Sequence, residues 1–447
     1  MFDRVLIANR GEIAVRVARA CRELGIGVVA VYSDVDRDSA VVRMADEAVR
    51  IGPAPARRSY LYIPAVIEAA LRTGADALHP GYGFLSEDPD LARVCHDNGI
   101  VFIGPPPEVM ERLGDKVSAR TLMTEAGLPL LPGSLEPLGS AEEAARLARR
   151  TGYPLILKAA AGGGGRGMQI VRSEHELARA YRQTRATAQA LFGDPRVYAE
   201  RYLPRARHVE IQILADRHGN VIHLGERDCT VQRRHQKLLE ESPAPSLPEG
   251  VAREMGERAV AGAMAAGYVG AGTFEFLVDP DGGYYFMEVN TRIQVEHPVT
   301  EMVTGVDLVQ EQLRVAWGLP LAIKQEDVVL RGACLEARIN AEDPARDFAP
   351  APGTLTEFAA PGGPFVRLDT HAYPGYRIPP TYDSLLAKLL VWAPDREQAL
   401  ARMRRALAEL RVAGPGVATT ASFLARVIDE PAFRSATHTT SLVQEMT

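Results

Sequence analysis

The stretch GTFEFLVDPDGGYYFMEVN, residues 272–290, decides the architecture. Residues 272–278 read as a buried strand carrying one charge, Glu275, among phenylalanines. Residues 284–290 read as a second strand carrying Glu288. Asp281-Gly282 is a strong signal for a two-residue hairpin turn. Centring the turn there pairs 280 with 283 and 279 with 284, and the count brings Glu275 opposite Glu288. Like charges facing each other across a ladder are destabilising, more so in apolar surroundings, unless one is protonated or a cation lies between them. Carboxylate ligands of this kind suit magnesium or manganese, with substrate phosphates completing the shell. Asn290, two residues beyond Glu288 on the same face, is the candidate third ligand. An exposed sheet face with both carboxylates in water is the alternative.

The alternation runs on past Asn290. If the chain stays extended, Glu288, Asn290, Arg292, Gln294 and Glu296 share one face, with Val289, Thr291, Ile293 and Val295 on the other. Such a row can hold a metal at one end and a small anion at the other. Arg292 suits a planar oxyanion such as bicarbonate, and Glu296 can act as a general base. An exposed edge strand has the same pattern. Residues 334–340 repeat it, with Glu336, Arg338 and Asn340 on one side; a structural salt bridge is the default expectation for Arg338. In ERDCTVQRRHQK, residues 226–237, His235 and Lys237 would share a strand face and point at one anion, against the alternative of a structural histidine.

Upstream, Leu155 to Lys158 reads as a strand, residues 159–167 as a glycine-rich loop and Met168 to Val171 as another strand, with helices before and after. Glycines 162–165 and Gly167 let backbone N–H groups approach phosphate oxygens, and Arg166 adds charge. A Walker A loop needs GK[ST] leading into a helix; here Lys158 precedes the loop and a strand follows. The element therefore reads as a mobile lid hairpin, against the alternative of a flexible surface turn. Lys116, in Gly114-Asp115-Lys116, is a second candidate phosphate ligand. The N-terminus opens with strand, helix and strand over residues 5–32, a βαβ unit of a doubly wound domain, with NRGEIA in place of GxGxxG. The first boundary falls near residue 114.

A chain of 447 residues exceeds one ordinary core. Its 46% hydrophobic and 24% charged residues make a globular mix. The net charge of -6 argues against nucleic acid as partner. Four scattered cysteines, Cys21, Cys95, Cys229 and Cys334, form no CxxC pair, so neither a disulfide framework nor structural zinc is expected, and a reducing cytoplasm is the expected setting. Neither a signal peptide nor an apolar run of the about 20 residues needed to span a bilayer is seen.

Together these segments resemble the biotin carboxylases of the ATP-grasp superfamily. The motifs are IANRGEIAVR, HPGYGFLSE, GDK, LKAAAGGGGRGM, RHVEIQ, ERDCTVQRRHQK, TFEFL, FMEVNTRIQVEHPVTE, RINAED and YDSLLAKL, in family order over nearly the whole chain. The resemblance implies an α/β fold of the ATP-grasp α+β kind. It implies an N-terminal Rossmann-like domain (1–114), an ATP-grasp domain (115–330) with a mobile lid at about 131–203, and a C-terminal mixed α/β domain (331–447). It places ATP on Lys116, Lys158, Gly162, Gly163, Gly164, Gly165, Arg166 and Gly167, with adenine and ribose near Glu200, Arg201, Tyr202, Leu203, His208, Gln232 and His235. Magnesium or manganese falls on Glu275, Glu288 and Asn290. Bicarbonate falls on Lys237, Arg292, Gln294 and the Val295 backbone, with Tyr82 and Arg338 among the bicarbonate and biotin contacts.

The implied catalytic set is Lys237, Arg292, Glu296 and Arg338. Glu296 deprotonates bicarbonate, which attacks the γ-phosphate of ATP to give carboxyphosphate. Carbon dioxide and phosphate follow; phosphate takes the biotin N1 proton while Arg338 steadies the enolate-like oxygen, and N1 attacks carbon dioxide. Biotin is expected on a separate carrier protein, because the chain ends without a biotinyl Met-Lys segment. A carboxyltransferase partner and a homodimer are also implied. Acetyl-CoA, hence fatty acid synthesis, is the first expectation for the final acceptor, with propionyl-CoA or pyruvate as alternatives. A carboxylate-amine ligase of the same superfamily would share the loop and the metal carboxylates, but gives no reason for Arg292, Glu296 and Arg338 together. A non-catalytic nucleotide-binding subunit would be expected to have lost a ligand or the base, and all are present. The tail, residues 412–447, matches less firmly.

Overall fold

The computed structural model describes residues 1–161 and 167–447. The phosphate-loop candidates Gly162, Gly163, Gly164, Gly165 and Arg166 lie outside the described residues. The fold is mixed α/β. Strands β1 (Arg4–Ile7), β2 (Gly27–Ser33), β3 (Glu47–Gly52), β4 (Ala77–His79) and β5 (Val101–Phe102) form a parallel sheet in the order β3-β2-β1-β4-β5. Both faces are covered. Val5 and Ile7 pack with Ile13 and Val17 of helix Gly11–Glu23, while Leu6 packs with Val29 and Val31 on the other side. The strand order reverses at β1, so the loops after β1 and β4 open a crevice at the switch point. They carry Asn9 and residues 80–83. Asn9 Nδ2 donates to the carbonyls of Pro80 (2.7 Å) and Tyr82 (2.8 Å). Gly81 sits at φ 63°, and a Cβ there would meet Asn9 Nδ2 at 2.9 Å.

Two buried neutral histidines, His79 on β4 and His371 packed on Gly11, each make an acid-sensitive contribution to stability. Burial holds the His79 imidazole down to about 4 and, with Arg10 nearby, His371 down to about 3. Both bind a proton more readily when unfolded, so stability is complete above about pH 6.5 and falls as the pH drops toward these values. Each histidine is expected to cost about 2 kcal/mol by pH 5. A His371→Gln variant whose melting temperature falls as much between pH 7 and pH 5 as that of the parent would contradict this.

A three-stranded antiparallel sheet forms the lid: β6 (Leu155–Ala159), β7 (Met168–Val171) and β8 (Val197–Arg201), in the order β7-β6-β8. Alternation sorts its faces. Leu155 and Leu157 pack against Leu147, Leu177 and Tyr181 of helices Ala141–Thr151 and Glu174–Phe192, while Ile156 and Lys158 face the central cleft.

The floor is one antiparallel sheet of eight strands. It comprises β9 (Arg207–Ala215), β10 (Val221–Arg233), β11 (Gln236–Ser242), β12 (Gly270–Val278), β13 (Tyr284–Asn290), β14 (Ala333–Asn340), β15 (Val366–Thr370) and β16 (Leu385–Ala393), in the order β13-β12-β9-β10-β11-β14-β16-β15. Its ends are packed separately, Phe274, Phe276 and Phe286 under helix Val251–Ala266, and Leu389 and Val391 under helix Arg396–Glu409. Among the described residues no helix is long and apolar enough to cross a membrane.

The β12–β13 hairpin corrects one expectation. Asp279 N–H donates to Gly283 O (2.8 Å) and Gly282 N–H to Asp279 O (3.1 Å), with Gly282 at φ 87°. The turn is thus a three-residue loop ending in a left-handed glycine, not a two-residue Asp281-Gly282 turn. This shifts Val278 onto Tyr284 and Phe276 onto Phe286. A bulge at Met287 restores the lost residue, and Glu275 pairs with Glu288 as expected. The strand also ends at Asn290. Residues 291–296 bend and turn into helix His297–Thr304, so the extended row through Glu296 does not form.

Candidate active site

Between lid and floor lies a cleft of about 970 Å³. Its floor carries a charged row running straight across four strands. Arg227 on β10 pairs with Glu210 on β9, Glu210 with Glu275 on β12, and Glu275 with Glu288 on β13. Three carboxylates side by side are held by cations. Arg227, fully buried, gives Nε to Glu210 (2.6 Å) and its other nitrogens to Gln212, Thr273 and Thr300. Lys237 Nζ reaches Glu210 (2.6 Å), Glu275 (2.9 Å) and Glu296 (2.6 Å). His208 Nε2 stands 3.1 Å from Glu275, and Lys116 Nζ 2.6 Å from Glu288. Burial alone would neutralise Glu275, but Lys237 and His208 hold its carboxyl well below the usual range. Burial likewise opposes charge on His208, and Glu275 raises it regardless.

The bend at 291–296 does what an extended strand was expected to do. Arg292 donates through Nε to Glu87 (2.9 Å), through one terminal nitrogen to Gln294 Oε1 (2.9 Å) and through the other to Asn290 Oδ1 (3.1 Å). Asn290 and Gln294 in turn donate to Glu275 Oε1, at 2.9 and 3.1 Å. Glu296 has no exposed surface; Lys237 holds one oxygen and Arg338 the other, at 2.9 Å. Burial pushes against its charge, but Lys237, Arg338 and Arg227 keep it ionised far below the ordinary carboxylate range. Arg338 gives its Nε to Glu240 (2.6 Å), the salt bridge expected by default, and its second contact to Glu296.

Most of the expected residues converge here. Tyr82, Lys116, Lys158, Glu200, Arg201, Tyr202, Leu203, His208, Gln232, His235, Lys237, Glu275, Glu288, Asn290, Arg292, Gln294, Val295 and Arg338 all line the cleft. Lys158 is paired with Glu200, which Arg120 also binds at 2.7 Å. Gly167 is described at the end of the lid turn, beside Ala159. His235 lines the cleft, but not from a strand face shared with Lys237. It and Arg234 are the two positive-φ residues of the tight turn between Arg233 and Gln236, so His235 is exposed at the turn while Lys237 points inward from β11. Leu277 and Met287 contribute apolar wall. Met287 and Glu288 are neighbours in sequence yet both line the cleft, which the bulge permits.

Sequence reading passed over Glu210, Arg227, Glu240 and Glu87. The alternation His208-Glu210-Gln212 in RHVEIQ was the available signal for the first. Glu240 faces Glu336 across β11 and β14, and neither Glu336 oxygen has a hydrogen-bond partner among the described residues. Burial and the neighbouring carboxylate raise Glu336 well above its ordinary value, and burial pushes Glu240 to about 7. A carboxyl raised on folding loses stability as the pH rises above its unfolded value. Glu336→Gln is therefore expected to be more stable than the parent by about 1 kcal/mol at pH 8. The gain should shrink toward pH 5 in thermal melts; a variant melting lower at pH 8 would refute the repulsion.

A donor set of two carboxylates and an amide beside two cleft-lining lysines, Lys116 and Lys158, fits a hard divalent ion. The buried, cation-rich corner of Lys237, Arg292 and Gln294 fits a small planar anion.

Three family descriptions match the chain: "Biotin carboxylase, N-terminal domain" over residues 1–110, "Carbamoyl-phosphate synthase L chain, ATP binding domain" over 115–324, and "Biotin carboxylase C-terminal domain" over 336–445. Among curated relatives, the biotin carboxylase of a Nostoc species is 54% identical over 445 residues, covering 100% of this chain and 99% of its own. A pyruvate carboxylase subunit from Methanothermobacter thermautotrophicus is 52% identical, covering 100% and 90%. Among solved structures, the biotin carboxylase domain dimer of Hydrogenobacter thermophilus 2-oxoglutarate carboxylase, in complex with MgADP, ADP and bicarbonate, superposes with a TM-score of 0.95. It is 48% identical, covering 100% and 98%.

Proposed function

This chain belongs to the biotin carboxylase family of ATP-grasp ligases, and from that premise we propose that it carboxylates carrier-bound biotin with bicarbonate and ATP in the cleft described above. One observation carries the reading: a fully buried, ionised Glu296 is clamped between Lys237 and Arg338 beside the Arg292–Gln294 pair. A general base, an anion fork and a cation for a developing oxyanion thus stand within one corner.

In this reading Lys116, Lys158 and the 162–167 loop hold the ATP phosphates, and the lid and β11 turn enclose adenine and ribose. Glu275 and Glu288, with Asn290 beside them, would hold magnesium or manganese, which supplies charge neutralisation for the phosphates. Arg292, Gln294, Lys237 and the Val295 N–H bind bicarbonate. Glu296 takes its proton, and the resulting oxygen attacks the γ-phosphorus, releasing ADP and forming carboxyphosphate. Cleavage of its carboxyl C–O bond gives carbon dioxide and phosphate. Phosphate removes the biotin N1 proton while Arg338 stabilises the negative ureido oxygen, and N1 bonds to carbon dioxide. Lid closure keeps water from the intermediate.

The three-domain division at 114 and 330, the homodimer, a cytoplasmic setting and the carrier and carboxyltransferase partners belong to this same reading. The relatives' names include pyruvate and 2-oxoglutarate carboxylases, so the acceptor is a property of the transferase partner. Acetyl-CoA remains the proposed acceptor for this chain. ADP release assayed with bicarbonate and biotin each omitted in turn tests the core claim: release independent of bicarbonate would refute it.

A further inference from the structure

The loop that would bind bicarbonate is held from beneath by a buried ion pair. Two consecutive peptides are pinned through their carbonyls. Gln294 O accepts from His297, through its N–H at 3.3 Å and with Nδ1 at 2.7 Å. Val295 O accepts from Lys388 Nζ at 2.9 Å. In a trans peptide the N–H points opposite the carbonyl, so these two anchors set the directions of the Val295 and Glu296 N–H groups and the backbone carrying Glu296. Neither N–H has a hydrogen-bond partner among the described residues.

Lys388 is an unusual choice of donor. It lies on β16 opposite Arg338, has no exposed surface, and is charge-balanced by Glu12 Oε1 at 3.0 Å. Glu12 stands in the first turn of helix Gly11–Glu23, where the helix dipole favours an acid. Its Oε1 also accepts from the Tyr82 hydroxyl, and its Oε2 has no partner among the described residues. A lysine ammonium buried only to support a strand would leave a desolvation penalty that an apolar side chain avoids. Here it reaches out of its strand to fix one carbonyl in the bend.

We propose that Lys388, charge-balanced by Glu12, is a positioning residue for the Val295–Glu296 backbone, and so for bicarbonate capture and its deprotonation. The proposal rests on the assignment of bicarbonate to this loop. It requires that loss of the pin affect bicarbonate far more than ATP, whose candidate contacts lie on the lid, helix Lys116–Glu125, β9, β10 and the turn after β10.

The test compares full-length wild type, Lys388→Met, and the double variant Glu12→Gln/Lys388→Met by ADP release, with bicarbonate and ATP varied separately, and by thermal melting. Lys388→Met leaves Glu12 unpaired and is expected to melt lower; the double variant removes that charge and should regain most of the loss. In the double variant KM for bicarbonate is expected to rise about ten-fold or more, with KM for ATP within two-fold. A stable double variant with wild-type KM for bicarbonate, or equal rises in both KM values, overturns the positioning role. Wild-type ADP release that ignores bicarbonate would instead overturn the functional reading beneath it.

Discussion

Replacing Glu296 with alanine is expected to lower bicarbonate-dependent ADP release by about 10²–10⁴-fold, the usual contribution of a positioned general base. The loss should fall on kcat. Without Glu296, Lys237 still has Glu210 and Glu275, and Arg338 still has Glu240, so neither cation is stranded. Removing a carboxylate from the anion corner also lowers repulsion toward bicarbonate, so its KM should not rise. The proposed nucleotide contacts lie elsewhere in the cleft, and KM for ATP should be unchanged. Steady-state kinetics with each substrate varied separates these effects. A fall smaller than ten-fold would remove Glu296 from the role of base.

Arg338→Ala should separate the two halves of the reaction. Arg338 uses Nε for Glu240 and one terminal nitrogen for Glu296; its remaining terminal nitrogen has no hydrogen bond among the described residues, and the side chain lines the cleft. That leaves a guanidinium donor for an oxygen that becomes negative only when biotin loses its N1 proton. Removing a preorganised oxyanion donor is worth about 10²–10³ in rate. Biotin carboxylation should fall by that factor, while bicarbonate-dependent ATP cleavage without biotin falls less. Cleavage will not be untouched, because Glu296 loses one of its two cations. Equal losses in both assays would reduce Arg338 to a support for Glu296, and full biotin carboxylation would remove it from the mechanism.

How much of this was legible in the sequence varies by residue. The Glu275–Glu288 pairing was, but through two one-residue departures that cancel: a longer turn and the bulge at Met287. Turn chemistry is local, whereas a bulge is favoured by what the bulged side chain meets in the fold, and here Met287 meets the cleft. The face shared by Asn290, Arg292 and Gln294 was expected from strand alternation. It arises from a bend whose hydrogen bonds run among those side chains, with Glu275 and with Glu87. Glu210 and Arg227 were missed because their importance comes from sheet order. They acquire it only when β9 lies between β10 and β12, a long-range arrangement that no window of sequence displays. The strand face expected to be shared by His235 and Lys237 does not form, because two consecutive left-handed residues make a tight turn where a strand had been read through. The same long-range limit hid Lys388, which the motif YDSLLAKL contains without distinction.

The floor sheet has a further consequence. β11 and β14 are adjacent strands joined by ladder hydrogen bonds, although the proposed boundary at residue 330 separates them in sequence. A polypeptide ended at that boundary would present the unpaired edge of β11, with the apolar side chains of Leu238 and Leu239 stripped of their packing partners. Such an edge invites strand addition from other molecules. The sequence unit and the folding unit thus differ, and a nucleotide-binding half made alone should self-associate instead of behaving as a minimal enzyme.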